Sequence, residues 1–534
     1  MATSNQKLAD SMAALHALQH AGRTVIRSTA LTRTHLQRLT AAGYLRLVVK
    51  GWYMPWRPGE DTRDTTAWFA SRQAFVSAYC NDRFGGDWYV NAEVSLLLHT
   101  GATALPLQIQ IHAVKGKNNL LALPANTSLF DYAAKDFAPP SMRTVVQGMR
   151  ALTLEAALLR AGPNAWQADP ATLRLALEQL IDASQLSRLL LDGGNSVIAG
   201  RLIGGLRAVG RDDLANDLVE NMKAAAYVVP VSNPFAASVL PVRTRAESPY
   251  CARIRTMWEA MRAQVLATWK TPRRPVQQAH VYLHDAEERY VADAYNSLSI
   301  EGYQVTPELL EAVRSGQWSP DQSEADKRDR NALAARGYYE AHLQVRESLT
   351  EVLGGANPGD VLRRHLQTWY RALWTPSVQA GLLKPSDLAG WRAGPVYIRN
   401  SMHVPLPPEA VRDAMPLLFE LLASESEPQV QAVLGHFVFV FIHPYMDGNG
   451  RLARFILNLM LSCGGWPWTV VTLEARKDYM DALEDASVRQ DIVQFTALID
   501  GFVRQQREAP LKRPGTDQQG RAAHAPVRQP ASPH

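Results

Sequence analysis

Apolar side chains recur along this chain at two spacings, and the switches between them mark its parts. Leu8, Met12, Leu15 and Leu18 lie three or four apart, as on one face of a helix. Thr24-Val25-Ile26 predicts a brief strand. Thr32 to Ala42 predicts a second helix, with Thr32 as N-cap and Gly43 just past its end. Leu36 and Leu39 would face inward there, leaving Arg33, Thr34, Gln37 and Arg38 outward. Leu45–Val49 and Trp52–Met54 then read as a hairpin around the tip Lys50-Gly51. Beyond it, Trp88-Tyr-Val90 and Leu107–Ala113 alternate as strands do. Thr172–Gly210 and Asp213–Ala225 return to helical spacing, which dominates again from residue 250 to 505. Gly200, Gly204 and Gly205 are spaced for close packing on a helix, and Arg201 and Arg207 exclude a membrane setting. Pro241 to Pro249 predicts a boundary, and residues 506–534 hold too little to bury and are expected to be disordered.

Charge sharpens the picture at one end. Residues 1–60 carry Lys7, Arg23, Arg27, Arg33, Arg38, Arg46, Lys50 and Arg57 against only Asp10 and Glu60, while all 534 residues net +5. So local an excess suggests a polyanion footprint. A helical pair followed by a basic-tipped hairpin is how a winged helix is built, with the outward helix in a DNA major groove and the wing on the backbone. Arg33, Gln37, Arg38 and Lys50 are the candidate DNA contacts. The run Ala30-Leu-Thr-Arg-x-x-Leu-x-Arg-Leu-x-x-x-Gly-Tyr-Leu45, ahead of Gly51-Trp-Tyr-Met-Pro55, resembles the N-terminal winged helix of AbiE-type antitoxins. That resemblance implies a DNA-binding autoregulator at residues 1–58 and an antitoxin-like mixed α/β domain at 59–245. No run reaches the roughly 18 apolar residues of a membrane span. The N-terminus lacks a secretion-signal layout, and Cys80, Cys251 and Cys463 lie far apart. These features predict a soluble, reduced, cytoplasmic protein. His16 and His20 share a helix face at metal-ligand spacing but lack the intervening Glu of a zinc protease.

The chemistry concentrates in twelve residues, His443-Pro-Tyr-Met-Asp-Gly-Asn-Gly-Arg-Leu-Ala-Arg454. Gly448, Asn449 and Gly450 let the backbone approach an anion, and the apolar periodicity after them predicts a helix opening at that loop. Free N–H groups and the helix dipole would then favour phosphate together. Arg451 and Arg454, three apart, add forked donors. Asp447 offers one hard carboxylate for magnesium, and His443 a general base near neutral pH. A calcium loop is excluded, because its fifth position would be Arg451. An Asn-Gly hairpin is disfavoured by the helical continuation. The pieces suit a transfer reaction that uses ATP.

This motif is also the signature of the Fic family, which the chain resembles over about residues 250–505. The resemblance implies an all-helical Fic domain with a β-hairpin flap, and protein AMP transfer from ATP with magnesium. His443 would deprotonate a Tyr, Thr or Ser hydroxyl and Asp447 would hold the metal. Gly448, Asn449 and Gly450 would form the anion pocket, with Arg451 and Arg454 on the outer phosphates. A glycine at 450, where phosphorylating relatives carry lysine, favours AMP transfer. Tyr445 stands for the commoner Phe and is expected to be a conservative core change. Pro395–Val404, around the tip Asn400-Ser401, resembles the family's flap, which would hold an unidentified target protein by strand addition. Ser297-Leu-Ser-Ile-Glu301-Gly302 ends a helix expected from about Asp285, with Ser297 and Glu301 on one face. It resembles the family's inhibitory motif, and Glu301 would pair with Arg454 where the γ-phosphate of ATP must sit. His436–Ile442 favours a strand by propensity, but the resemblance implies a helix there. A homodimer is a further expectation. A regulator whose Fic domain senses nucleotide, or an enzyme removing AMP from modified proteins, stands as the alternative.

Overall fold

The computed structural model describes residues 4–59, 64–193, 195–225, 227–235, 248–318, 329–388 and 390–508. Helices dominate, and the chain forms two compact units. The first comprises residues 1–260, 393–414 and 487–490, and the second comprises 261–392, 415–486 and 491–534.

The first unit opens with α1 (Ser4–His20), β1 (Ile26–Arg27), α2 (Arg33–Ala41), β2 (Leu45–Val49) and β3 (Trp52–Pro55). The strands form an antiparallel sheet in the order β1-β3-β2. Thr32 caps α2 by accepting from the N–H of His35, and Gly43 leaves it at φ +76°. Leu15, Ile26, Leu39 and Leu45 make the core, with Met12, Leu18 and Leu36 packed against it. The expected first strand moves to residues 26–27, because Ile26 must both be buried and pair with Tyr53. Arg33, Gln37 and Lys50 are exposed as expected. Arg38 is not fully outward: it is half-buried and its Nη1 donates to the carbonyl of Lys7 in α1, 3.4 Å away.

The mixed part follows as α3 (Thr66–Phe84), β4 (Trp88–Val90), α4 (Ala92–His99), β5 (Gln108–Ala113), β6 (Asn119–Leu123), β7 (Thr127–Ala133), β8 (Arg143–Val146) and β9 (Met149–Leu152). A four-stranded sheet runs β4-β5-β7-β6, its β5/β7 pair parallel, and β8 and β9 form a separate hairpin. Alternate residues of β5 are buried, as its sequence predicts. Then come α5 (Leu154–Arg160), α6 (Ala165–Ala168), α7 (Pro170–Glu178), α8 (Ser184–Gly193), α9 (Ser196–Ala208) and α10 (Asp212–Ala224), around a second apolar core. The α9 glycines serve close packing, but against an extended segment instead of a helix. A methyl group at Gly200 would stand 2.0 Å from the carbonyl oxygen of Pro230, and one at Gly204 2.0 Å from that of Ser232. The expected boundary at Pro241–Pro249 falls largely on residues outside those described, as does the expected tail from 509 on. Gln506, Arg507 and Glu508, expected to be disordered, instead end a helix, with Gln506 bonded to the backbone of Val470.

Residues 395–404, expected to pair as a β-hairpin flap, contain no strand and cluster with the first unit. Their polar groups go elsewhere. Asn400, at φ +58°, donates its N–H to Thr66 Oγ1 and accepts at Oδ1 from the N–H of Thr65. Arg399 meets Asp64 at 3.0 Å, and the N–H of Val404 donates to the carbonyl of Thr103. Donors satisfied this way are not available for a cross-strand ladder.

Helix α11 (Pro249–Thr268) carries the chain into the second unit, which contains no strand among its described residues. Its elements are α12 (Ala279–Ile300), α13 (Pro307–Arg314), α14 (Arg330–Leu353), α15 (Pro358–Gln379), α16 (Pro408–Ser424), α17 (Pro428–Ile442), α18 (Asn449–Cys463), α19 (Arg476–Arg489) and α20 (Val493–Glu508). The ends of α16 and α19 fall in the first unit. Helix α14 packs along α15 so closely that a methyl at Gly337 would meet the carbonyl of Leu373 at 2.0 Å. Helix α17 resolves the propensity conflict at His436–Ile442: buried on nearly every side, it is stabilised by packing more than by intrinsic preference. No helix among the described residues is long and apolar enough to cross a membrane.

Candidate active site

The motif is the turn between α17 and α18. His443 ends α17 in the left-handed region, at φ 54°. Its Nδ1 lies 3.1 Å from the carbonyl of Val440, which can only accept. The proton is thereby placed on Nδ1 and Nε2 keeps its lone pair. Burial pushes the imidazole down to about 4, against a smaller upward pull from that hydrogen bond. His443 is thus a neutral base at ordinary pH. Arg392 braces the turn, its Nε donating to the carbonyl of His443 at 2.7 Å and its backbone N–H to that of Pro444.

Tyr445 is buried, stacks on Tyr370 at 3.7 Å, and donates its hydroxyl to Gln367. The polar atom that distinguishes it from Phe is therefore accommodated. Asn449 exchanges two hydrogen bonds with the backbone of Tyr445, at 3.0 and 2.8 Å. Its side chain closes the loop, so only its backbone is left to serve the anion pocket. Gly448 caps α18 at φ +87°, where a side chain would be strained. The first-turn N–H groups of α18 have no helical acceptors and face outward along its dipole.

Two arginines line this end. Arg454 is 2% exposed at its side chain and makes an ion pair with Glu301 Oε1 at 2.7 Å. It also donates to the hydroxyl and carbonyl oxygens of Ser297, at 2.8 and 2.9 Å. Burial alone would raise the Glu301 carboxyl, but Arg454, together with Arg451 and His443, holds it below its usual range. Glu301 caps α12, and Gly302 leaves at φ +90°. The carboxylate lies so near Gly450 that a methyl there would stand 2.2 Å from Oε1. The helix expected from about Asp285 starts at Ala279. Arg451, 1% exposed, packs against the rings of Trp374 and Tyr303, its Cζ 4.8 and 5.1 Å from their centroids. Its nearest carboxylate is Asp447, at 3.5 Å.

Asp447 fits a magnesium ion that keeps most of its water. Its side chain is 63% exposed beside the cradle, and one oxygen accepts from the N–H of Gly448, leaving the other open. Among the described residues no group of three or more His, Cys, Asp or Glu is placed to hold a metal. Sequence reasoning missed Trp374, Tyr303 and Arg392. Trp374 and Arg392 precede the motif by more than fifty residues, and no spacing links any of the three to it.

Residues 361–461 match the Fic/DOC family. The chain is 27% identical over 207 residues to the protein adenylyltransferase Fic of Nematostella vectensis, covering 38% of this chain and 44% of that protein. It is 26% identical over 232 residues to the protein adenylyltransferase fic-1 of Caenorhabditis elegans, covering 42% and 41%. The chain thus spans less than half the length of these relatives. A solved Fic-1 fragment of C. elegans is similar at 18% identity, covering 66% of this chain and 89% of that one with a TM-score of 0.35. The matched stretch contains Gln367, Tyr370, Trp374, Arg392 and the turn itself, whereas Ser297, Glu301 and Tyr303 precede it.

Proposed function

We propose that the chain transfers AMP from ATP to a protein hydroxyl, and that Glu301 restrains the reaction. The observation that carries this is a neutral His443, Nε2 unprotonated, beside a buried cationic cradle whose Arg454 is already held by a carboxylate. His443 Nε2 takes the proton of an acceptor hydroxyl, whose oxygen forms a bond to the α-phosphorus of ATP. The bond from that phosphorus to the β-bridging oxygen breaks, and pyrophosphate leaves with the electron pair. Arg451, Arg454 and the amides of α18 stabilise the negative charge, which supplies most of the rate in phosphoryl-type transfers. Magnesium on Asp447 supplies further neutralisation when bound.

While Glu301 holds Arg454, that arginine is not available to a γ-phosphate, and the carboxylate repels the phosphate as well. A misplaced α-phosphorus can cost about 10²-fold in rate. Glu301→Gly should raise labelling of protein by ATP carrying label on its α-phosphorus, and Glu301→Gly/His443→Ala should abolish the gain. Equal labelling by wild type and Glu301→Gly would exclude the restraint. Nucleotide binding without any labelling would favour a nucleotide sensor, and release of AMP from modified protein would favour the reverse reaction.

A second reading concerns the N-terminal segment, and its exposed Arg33, Gln37 and Lys50 favour it. The order helix, strand, helix, hairpin, with Lys50 at the hairpin tip, suits duplex DNA, the outward helix reading bases and the tip touching phosphate. Absence of DNA affinity at low salt would make the segment a protein-docking module.

A further inference from the structure

Five buried donor nitrogens without a hydrogen-bond partner among the described residues meet at the start of α18. They are Nε, Nη1 and Nη2 of Arg451, Nη1 of Arg454 and the indole Nε1 of Trp374. The arginines belong to the sequence motif; Trp374, on α15, does not. A methyl on Gly448 would stand 3.2 Å from the Trp374 nitrogen and 3.6 Å from Nη2 of Arg451, so the two donors flank the same glycine. A buried indole N–H ordinarily has an acceptor, and leaving it without one is costly. A phenylalanine at 374 would still stack on Arg451, though less strongly, and would leave no such orphan. The tryptophan is explained if its acceptor arrives with the ligand.

We infer that Trp374 is a phosphate-binding residue, whose indole N–H completes the anion cradle at Gly448 and donates to the same phosphate group that Arg451 receives. The rings of Trp374 and Tyr303 both lie within cation–π distance of the guanidinium and hold it by attraction to its charge. A guanidinium held by two rings is ordered before the ligand arrives, so the ordering of Arg451 precedes binding instead of accompanying it.

This rests on the proposal that the cradle takes the phosphates of ATP, and the test separates the two. Full-length Glu301→Gly protein is compared with Glu301→Gly/Trp374→Phe by calorimetry, with inorganic pyrophosphate, ATP and adenosine as probes. Loss of one charge-assisted hydrogen bond should weaken pyrophosphate and ATP by about tenfold or more. Adenosine affinity and the melting temperature should not fall. Pyrophosphate should also move one indole N–H proton signal of the parent downfield, the signal absent from Trp374→Phe. Unchanged pyrophosphate affinity in Trp374→Phe overturns the inference, and so does a parent in which pyrophosphate moves no indole signal, whether or not the variant folds. If pyrophosphate binds through Trp374 but no AMP is transferred, the inference stands and the transferase reading falls. If AMP transfer proceeds and Trp374→Phe binds unchanged, the reverse holds.

Discussion

At the residue scale, His443 makes a pH-dependent claim. Its folded value of about 4 lies below the ordinary imidazole range, so the unprotonated form persists well into acid. A base must be unprotonated to act, hence activity should fall only as pH drops through about 4. Glu301 pulls that value upward, so Glu301→Gly should move the limb no higher. The acid limb of kcat/KM for AMP transfer by Glu301→Gly, taken by rapid single turnovers, checks this, and a midpoint near 6.5 would contradict it. His443→Ala should lower transfer by roughly 10²–10⁴-fold while ATP still binds.

At the scale of elements, α9 shows a helix shaped by what lies on it. Its Gly204 has the carbonyl of Ser232 where a side chain would be, and both partners are backbone. Gly204→Ala should therefore lower the stability of the first unit by about 1–3 kcal/mol, despite the better helix propensity of alanine. Thermal melts of the two proteins test it; an unchanged or raised melting temperature would show that residues 230–234 yield easily. Much at this scale was legible in the sequence. Thr32 and Gly43 set the ends of α2, and the pairing of Glu301 with Arg454, 153 residues apart, was implied by the resemblance of a short segment to an inhibitory motif. The strands expected at 395–404 failed because alternation says nothing of competing acceptors, and Thr66 and Thr103 took the donors. Trp374 was illegible for a related reason: which face of α15 meets Gly448 depends on tertiary packing, not on local spacing.

For the whole molecule, charge is the property that most unevenly divides the chain. Eight cations stand against two anions in residues 1–60, and Lys50 is exposed at the tip of the β2–β3 hairpin. Each phosphate contact releases counterions, so Lys50→Ala in the full-length protein should weaken binding to all duplex sequences alike. It should also flatten the plot of log affinity against log salt by about one unit of slope. Arg33→Ala should in addition relax sequence choice. A Lys50→Ala slope identical to wild type would remove the hairpin tip from the interface.

The buried guanidinium of Arg451, which makes no hydrogen bond among the described residues, also bears on how robust the protein can be without nucleotide. A cation enclosed at 1% exposure, with no hydrogen bond to its three nitrogens and the exposed Asp447 carboxylate no nearer than 3.5 Å, taxes the unliganded fold. Methionine is of similar length, carries no charge, and suits the slot against Tyr303 and Trp374. Arg451→Met should therefore melt higher than wild type, by about 2 °C or more, while losing ATP affinity. Saturating ATP should close or reverse that gap, since only wild type gains from the ligand. Thermal resistance and nucleotide capture would then trade against each other at one side chain, and selection for a hardier variant would tend to find the inert one first.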